Sequence, residues 1–107
     1  MSNEIDIYDL FELAMHGTLP KGFKDWAEAD KNGWSVAHVA AYNGHLPPDF
    51  DQWGICDKDG WTVAHSAAYN SKLPKNFHIG YPDVWTLKDI HDISVEEVAL
   101  ENRYIVQ

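Results

Sequence analysis

Residues 30–43 read DKNGWSVAHVAAYN and residues 57–70 read DKDGWTVAHSAAYN, so that eleven of the fourteen positions are identical. The two segments lie 27 residues apart, and the Leu-Pro pairs that begin at Leu19, Leu46 and Leu73 keep the same interval. Self-similarity at a fixed period indicates a repeat protein, in which each short unit packs on its neighbours to build a continuous core. This repeat decides the fold, and the rest of the chain is interpreted in its register.

The repeat extends weakly towards both ends of the 107-residue chain. Upstream, residues 7–17 fall on 34–44 at the same shift. Downstream, a shift of 32 replaces 27 because five extra residues precede Trp85, and a rival alignment of Trp85 with Trp61 recovers fewer positions. The outer units are degenerate, as the end caps of a stack usually are. We predict one domain of four units, over residues 5–29, 30–56, 57–84 and 85–107.

Each regular unit combines turn and helix signals. Asp30 and Gly33 favour a tight turn, because an aspartate bonds nearby backbone N–H groups and glycine accepts a positive φ. Ser35 then suits a helix N-cap, and Ser94 with Glu97 has the pattern of a capping box. The fold class is therefore predicted to be all-α, a solenoid of four short helix-turn-helix units. We predict first helices over residues 36–43, 63–70 and 95–103, and a shorter second helix over residues 48–53.

Aromatic residues recur in the same register. The chain has five Trp, five Tyr and four Phe, which together make up 13% of its residues. We predict that the aromatic residues at equivalent places form a stacked column in the core and compensate for a short second helix. Trp34 and Trp61 fall outside this column, between the turn glycine and the N-cap. The predicted column residues are Phe23, Trp26, Phe50, Trp53, Phe77 and Trp85.

Residues 30–45 and 57–72 resemble the ankyrin repeat, whose signature is a turn Asp-x-x-Gly-x-Thr followed by Pro-Leu-His-x-Ala-Ala-x-x-Gly-His. Here Val-Ala replaces Pro-Leu, and Ser71 with Lys72 replaces Gly-His in the second copy. The period is shorter than the family's length of about 33 residues, which implies a reduced second helix and hairpin. The resemblance implies a monomeric, non-enzymatic module that binds a partner protein through its turns and its first-helix face.

The resemblance also implies which residues contact the partner. Trp34 and Trp61 lead this set, since tryptophan and tyrosine combine a large apolar area with a polar handle and often anchor interfaces. An alternative, compatible with the first, is that the two rings stack on one another along the row of turns. The implied contact residues are Lys31, Asn32, Trp34, Tyr42, Asn43, Lys58, Asp59, Trp61, Tyr69 and Asn70, with Ile90, His91, Ile93, Glu101 and Asn102 in the fourth unit.

His38 and His65 occupy equivalent helix positions. One interpretation is a metal pair or a catalytic base. The resemblance instead implies a structural role, in which the ring bonds the turn backbone across the interface between units. The segment that begins at Asp57 has part of a calcium-loop pattern, but Ala68 stands where the closing glutamate belongs, which favours a simple turn. We expect no catalytic residues, no cofactor and no bound metal.

The acidic composition of the chain argues against some classes of binding partner. Acidic residues number 17 and basic residues 8, a net charge of −9, which argues against direct binding to nucleic-acid phosphates or to an anionic membrane. The same charge supports an alternative function, a small acidic inhibitor of the phage anti-defence type that blocks the basic nucleic-acid-binding cleft of an enzyme.

The cysteine count and the first residues of the chain indicate the cellular compartment. Cys56 is the only cysteine, so that neither a disulfide within the chain nor a cysteine-based zinc cluster is expected. The first residues lack the basic and apolar regions of a signal peptide, and no apolar run approaches the length of a membrane span. We therefore expect a cytoplasmic protein.

Overall fold

The computed structural model of the protein describes residues 6–105, and all regular secondary structure in that range is helical. The predicted all-α class is therefore confirmed. The described part is elongated, with extents of 52 × 27 × 19 Å. Residue 5 and residues 106–107, where the predicted outer units begin and end, lie outside the described range. The helices are α1 (Ile7–His16), α2 (Val36–Tyr42), α3 (Val63–Tyr69), α4 (Phe77–Gly80), α5 (Pro82–Trp85) and α6 (Val95–Glu101).

Four of these helices pack in chain order: α1 contacts α2, α2 contacts α3, and α3 contacts α6. The buried faces of α2 and α3 carry alanine at equivalent positions, Ala37 and Ala40 in one and Ala64 and Ala67 in the other. Small side chains let neighbouring helices approach closely and fill the space between them. The short helices α4 and α5 lie between α3 and α6 in sequence, where the extra residues interrupt the repeat.

The helices of the repeat begin at hydroxyl side chains. Ser35, Thr62 and Ser94 each accept a hydrogen bond from the backbone N–H three residues later. In α2 and α3 that third residue is His38 or His65, whose ring accepts the N-cap backbone N–H in return and completes a capping box. The capping box predicted for α6 is only half formed within residues 6–105, because the glutamate side chain makes no return bond there.

The same C-terminal motif ends α1, α2, α3 and α6. Each helix is followed by one residue in the left-handed conformation, and the backbone N–H of the residue after it donates to the carbonyl five residues earlier, at 2.7–2.9 Å in all four cases. This bond satisfies a helix carbonyl that would otherwise have no partner. The motif recurs after 27, 27 and 32 residues, as the aligned units predict. Its left-handed residues are Gly17, Gly44, Ser71 and Arg103, with φ of 71°, 73°, 58° and 72°.

Three tight turns precede the helices α2, α3 and α6. In each, an aspartate carboxylate accepts two backbone N–H groups at 2.9–3.1 Å, and the aspartates are Asp30, Asp57 and Asp89. An isolated antiparallel bridge closes each turn, for example between Cys56 and Thr62. The Asp57 carboxylate is therefore part of a turn, as predicted, and its geometry is that of backbone capping.

Gly33→Ala is expected to lower the free energy of unfolding by about 1–3 kcal/mol, because alanine is strained at a positive φ. Gly33 has φ of 79°, and a Cβ there would lie 3.0 Å from Asp57 Cα and Lys58 N in the next turn. Urea unfolding followed by circular dichroism measures the change. Two controls separate the causes. Gly22 also has a positive φ, but a Cβ there would meet no atom within 4 Å, and Gly54 has neither a positive φ nor a close neighbour. Equal losses in Gly33→Ala and Gly22→Ala would contradict close contact between the turns.

The second helix predicted over residues 48–53 is wrong, because this segment forms tight turns. Pro48 has no N–H to donate, and Phe50 N–H bonds to the Pro47 carbonyl in a turn. The carbonyls of Trp53 and Ile55 accept N–H groups from the first turn of α3 instead of supporting a helix of their own. Each regular unit therefore holds one helix, and only the interrupted region adds the short helices α4 and α5.

A chain of aromatic rings runs through the units on the side of these turns. Successive centroids lie 5.0–5.4 Å apart and successive planes are nearly perpendicular, the edge-to-face geometry that aromatic pairs favour. The rings are those of Phe23, Trp26, Phe50, Trp53 and Phe77. This part of the predicted column is confirmed.

The far end of the column differs from the prediction. Tyr81 stacks on Phe77 at 5.1 Å, so that the interrupted region supplies the last ring. Trp85 is buried as predicted, but its ring packs against Tyr104 and His78 in a second aromatic group. The extra residues fold as α4 and α5 and thereby move Trp85 away from the place that its equivalents occupy.

Candidate functional site

Four aromatic side chains from two successive units line a groove of about 280 Å³ beside the turns that precede α2 and α3. Trp34 and Trp61 come from the turn that precedes α2 and α3, and Tyr42 and Tyr69 come from the last turn of those helices. We call this set, together with Ser66 at its floor, the aromatic groove. It unites four of the predicted contact residues.

Each tryptophan of the groove packs on the histidine of its own helix. The Trp34 ring lies 4.5 Å from the His38 ring with an interplanar angle of 28°, and Trp61 lies 4.7 Å from His65 at 32°. No ring contact joins Trp34 to Trp61 in the described residues, so the alternative in which the two rings stack on one another is not observed. The tryptophan stands one residue before the N-cap and four before the histidine, so that its ring reaches back over the first helical turn.

The two tyrosines of the groove are stacked and open to solvent. Their ring centroids lie 6.2 Å apart with an angle of 22° between the planes. Tyr42 is 40% exposed and Tyr69 is 56% exposed, whereas Trp34 and Trp61 are half-buried. The groove therefore offers two aromatic rings at its rim and two more along its wall.

Buried histidines form the base on which the tryptophan rings rest. Nδ1 of His38 accepts the Ser35 N–H at 3.1 Å, which assigns the proton to Nε2, and Nε2 donates to the Trp61 carbonyl at 2.8 Å. His65 repeats the arrangement with the Ile93 carbonyl at 2.9 Å. The predicted bond across the unit interface is confirmed, and the paired nitrogens leave neither ring a lone pair for a metal.

Burial lowers the pKa of both histidines below the usual value of 6.5. The Trp61 carbonyl and the charges of Asp57 and Asp30 raise the pKa of His38 but only partly offset this effect, while His65 lowers it further. At neutral pH the base of the groove is therefore uncharged. The aspartates of the turns are nonetheless close enough to act on it electrostatically.

The two indole N–H groups of the groove differ. Trp61 Nε1 donates to Ser66 Oγ at 2.9 Å. The equivalent of Ser66 in the preceding unit is Val39, and no acceptor within residues 6–105 takes the N–H of Trp34. Because that range contains no buried side-chain nitrogen or oxygen without a partner, Trp34 Nε1 reaches solvent. The sequence analysis did not predict this difference between the two indole N–H groups, although the replacement of Val39 by Ser66 at the equivalent position indicated it.

The predicted turn residues lie along one row at the tips of the turns. Lys31, Asn32, Lys58 and Asp59 are all exposed. The backbone links successive tips, since Lys58 N–H donates to the Asn32 carbonyl at 3.1 Å and Ile90 N–H donates to the Asp59 carbonyl at 2.8 Å. The row is therefore a continuous, backbone-bonded edge beside the aromatic groove.

The asparagines predicted as contact residues already have partners inside the stack. Asn43 Nδ2 donates to the Val39 carbonyl at 2.8 Å, and Asn70 Nδ2 donates to the Tyr42 carbonyl at 2.6 Å. Asn102 repeats the first of these bonds in α6. Each of these amides therefore uses one N–H to bond a backbone carbonyl within or between the units.

The fourth unit does not continue the groove. Ile93 and Glu101 occupy the places of the tryptophan and the tyrosine, and Ile93 is half-buried while Glu101 is exposed. Ile90 and His91 are exposed at the tip of the third turn. The aromatic surface therefore ends where α6 begins.

Comparison with known proteins gives no match. No family model matches this chain, and neither a curated protein nor a solved structure does so. Among residues 6–105, no group of three or more His, Cys, Asp or Glu side chains is arranged to hold a metal ion. No helix in that range is long and apolar enough to cross a membrane.

Proposed function

We propose that the chain is a non-enzymatic repeat protein of the ankyrin type, which binds a partner protein through the aromatic groove and the adjoining row of turns. The observation that carries the proposal is the exposure of Tyr42 and Tyr69 beside two half-buried tryptophans. Contiguous exposed aromatic surface is a feature of interaction sites. The proposal includes a monomeric, cytoplasmic protein without cofactor.

Support for the ankyrin type comes from the repeated backbone bonds. The aspartate turn, the hydroxyl N-cap, the histidine bond to the next unit and the left-handed helix end all recur in order. The turns replace the second helix in the regular units, which agrees with the short period. A stack of this kind presents the same face of successive helices side by side and so builds an extended binding surface.

The double variant Tyr42→Ala with Tyr69→Ala is expected to weaken partner binding about tenfold or more, because aromatic anchors carry much of the energy of an interface. Affinity capture from the source cells, with the captured proteins quantified by mass spectrometry, measures the loss. Tyr8→Ala serves as the matched control, since Tyr8 is 61% exposed and lies outside the groove. A partner captured equally by the wild type and the double variant would contradict the proposal.

A second candidate, the acidic inhibitor of a nucleic-acid-binding enzyme, is favoured by the unpaired carboxylates. Within residues 6–105 the only ion pair joins Lys88 and Asp92, at 3.2 Å. Three exposed glutamates, Glu96, Glu97 and Glu101, lie on α6. Binding of this kind should weaken steeply with salt, compete with nucleic acid and survive the loss of both groove tyrosines.

A further inference from the structure

We propose that the aromatic groove takes the guanidinium group of an arginine, presented by an extended segment of the partner protein. This inference rests on the proposed function and names the chemistry of its partner. The face of an aromatic ring attracts a cation, most strongly in tryptophan, and the planar guanidinium also stacks on such faces. Trp34, Trp61, Tyr42 and Tyr69 bring four rings to one groove of about 280 Å³.

The groove has no positive charge of its own. None of the side chains that line it carries a charge, and nearly all of the surface that they expose in the groove is apolar. The histidines beneath the tryptophans are neutral, since each Nδ1 accepts a backbone N–H. A cation that enters the groove therefore meets ring faces and no competing ammonium or imidazolium group.

Carboxylate groups lie close to both tryptophans of the groove. The Asp30 carboxylate accepts the backbone N–H of Trp34 at 3.1 Å, and the Asp57 carboxylate accepts that of Trp61 at 3.0 Å. These aspartates form no ion pair within residues 6–105. Lys31 and Lys58 are exposed at the tips of the turns and form none either. Together with the net charge of −9, this arrangement complements a basic segment and not an acidic or neutral one.

The indole N–H of Trp34 supplies a directional contact. It has no acceptor within residues 6–105 and reaches solvent, whereas the N–H of Trp61 is already bonded to Ser66. A backbone carbonyl of the bound segment is the acceptor that fits this donor, because an extended segment leaves its carbonyls free. The groove thus recognises a side chain by its charge and the adjoining main chain by one hydrogen bond.

The test uses an acetylated and amidated peptide with one arginine among glycine and serine residues. Its counterpart carries citrulline, which keeps the shape of arginine but has no charge. Both are titrated into ¹⁵N-labelled protein, and the tryptophan indole signals report binding. The arginine peptide is expected to bind at millimolar concentration or below and about 3- to 30-fold more tightly than the citrulline peptide.

Variants locate the contact. Tyr42→Leu with Tyr69→Leu keeps apolar side chains at the rim but removes two ring faces, and it should abolish most of the preference for arginine over citrulline. Trp34→Phe keeps the ring over His38 but removes the donor, and it should weaken binding of both peptides about 2- to 10-fold. Tyr8→Leu should change neither result. The spectra themselves show whether each variant is folded.

Several outcomes would overturn the inference. They are equal binding of the arginine and citrulline peptides, no binding of the arginine peptide at millimolar concentration, or tighter binding of a proline-rich peptide than of the arginine peptide. If any of these occurs while Tyr42→Ala with Tyr69→Ala still loses the captured partner, the inference is wrong and the proposed function stands. If the partner is retained by that variant, the proposed function itself fails.

Discussion

Trp53→Ala is expected to lower the free energy of unfolding by about 3–5 kcal/mol, the usual loss for a buried tryptophan replaced by alanine. Trp53 is only 5% exposed and stands in the middle of the aromatic column. Its ring lies 5.2 Å from that of Phe50 and 5.1 Å from that of Phe77, and its indole N–H donates to the Phe50 carbonyl. The substitution removes all three contacts and leaves a cavity between two units.

The loss is large relative to the stability of a small domain, which is about 5–15 kcal/mol in total. Urea unfolding followed by far-ultraviolet circular dichroism measures it. Ile79→Ala is the control, because Ile79 is 65% exposed on α4 and surface substitutions usually change stability by less than about 0.5 kcal/mol. A loss below about 1 kcal/mol in Trp53→Ala would show that the column is not what holds adjacent units together.

His38→Ala is expected to lower the free energy of unfolding by about 2–5 kcal/mol, because a buried polar group that loses its partner costs about 1–3 kcal/mol. The Ser35 N–H loses its acceptor, and the Trp61 carbonyl loses one of its two donors, since it still accepts the Asp57 N–H at 3.0 Å. The Trp34 ring also loses the surface on which it packs. His91→Ala is the control, since His91 is exposed and only its backbone N–H is bonded.

The same variant has a pH signature. Burial lowers the pKa of His38 and His65 in the folded protein below the value of 6.5 expected when unfolded. Below pH 6.5 the unfolded chain therefore binds more protons than the folded chain. The free energy of unfolding reaches its full value above pH 6.5 and falls as the pH drops below it. Each histidine contributes a slope of up to about 1.4 kcal/mol per pH unit.

Urea unfolding at several pH values between neutrality and mild acid should therefore show a flatter decline in His38→Ala than in the wild type, because one of the two histidines is gone. Ile79→Ala, which removes an exposed side chain that does not titrate, should keep the wild-type slope. A decline that is equally steep in His38→Ala would mean that His38 does not contribute to the acid sensitivity of the stack.

The sequence predicted most of the local structure because its causes are local. Asp57 and Thr62 act within a few residues of their own position, as a turn former and as an N-cap, and these roles need no knowledge of distant contacts. The register of the aromatic column was also accessible, since equal spacing places Phe50 and Phe77 at equivalent points of successive units. The failures come from places where one unit meets another or where the period is broken.

The predicted helix over residues 48–53 failed because local propensity did not include the demands of the next unit, whose first amides use the carbonyls of Trp53 and Ile55. The candidate site was predicted at the level of residues but not of geometry. Trp34 and Trp61 were identified by position, yet their contact with the histidines and their different indole partners depend on three-dimensional packing.

The sequence by itself determined the all-α class, the aspartate turns and capped helices of the repeat and the ring positions from Phe23 to Phe77, because these features follow from short-range bonds and an equal 27-residue spacing. Only the tertiary structure decided that Tyr42 and Tyr69 are exposed beside the tryptophans, that the Trp34 indole N–H has no acceptor within residues 6–105 and that Tyr81 ends the column. The reason is physical: a repeat specifies its units through short-range bonds, whereas the aromatic groove forms between units, where side chains distant in sequence compete for the same space.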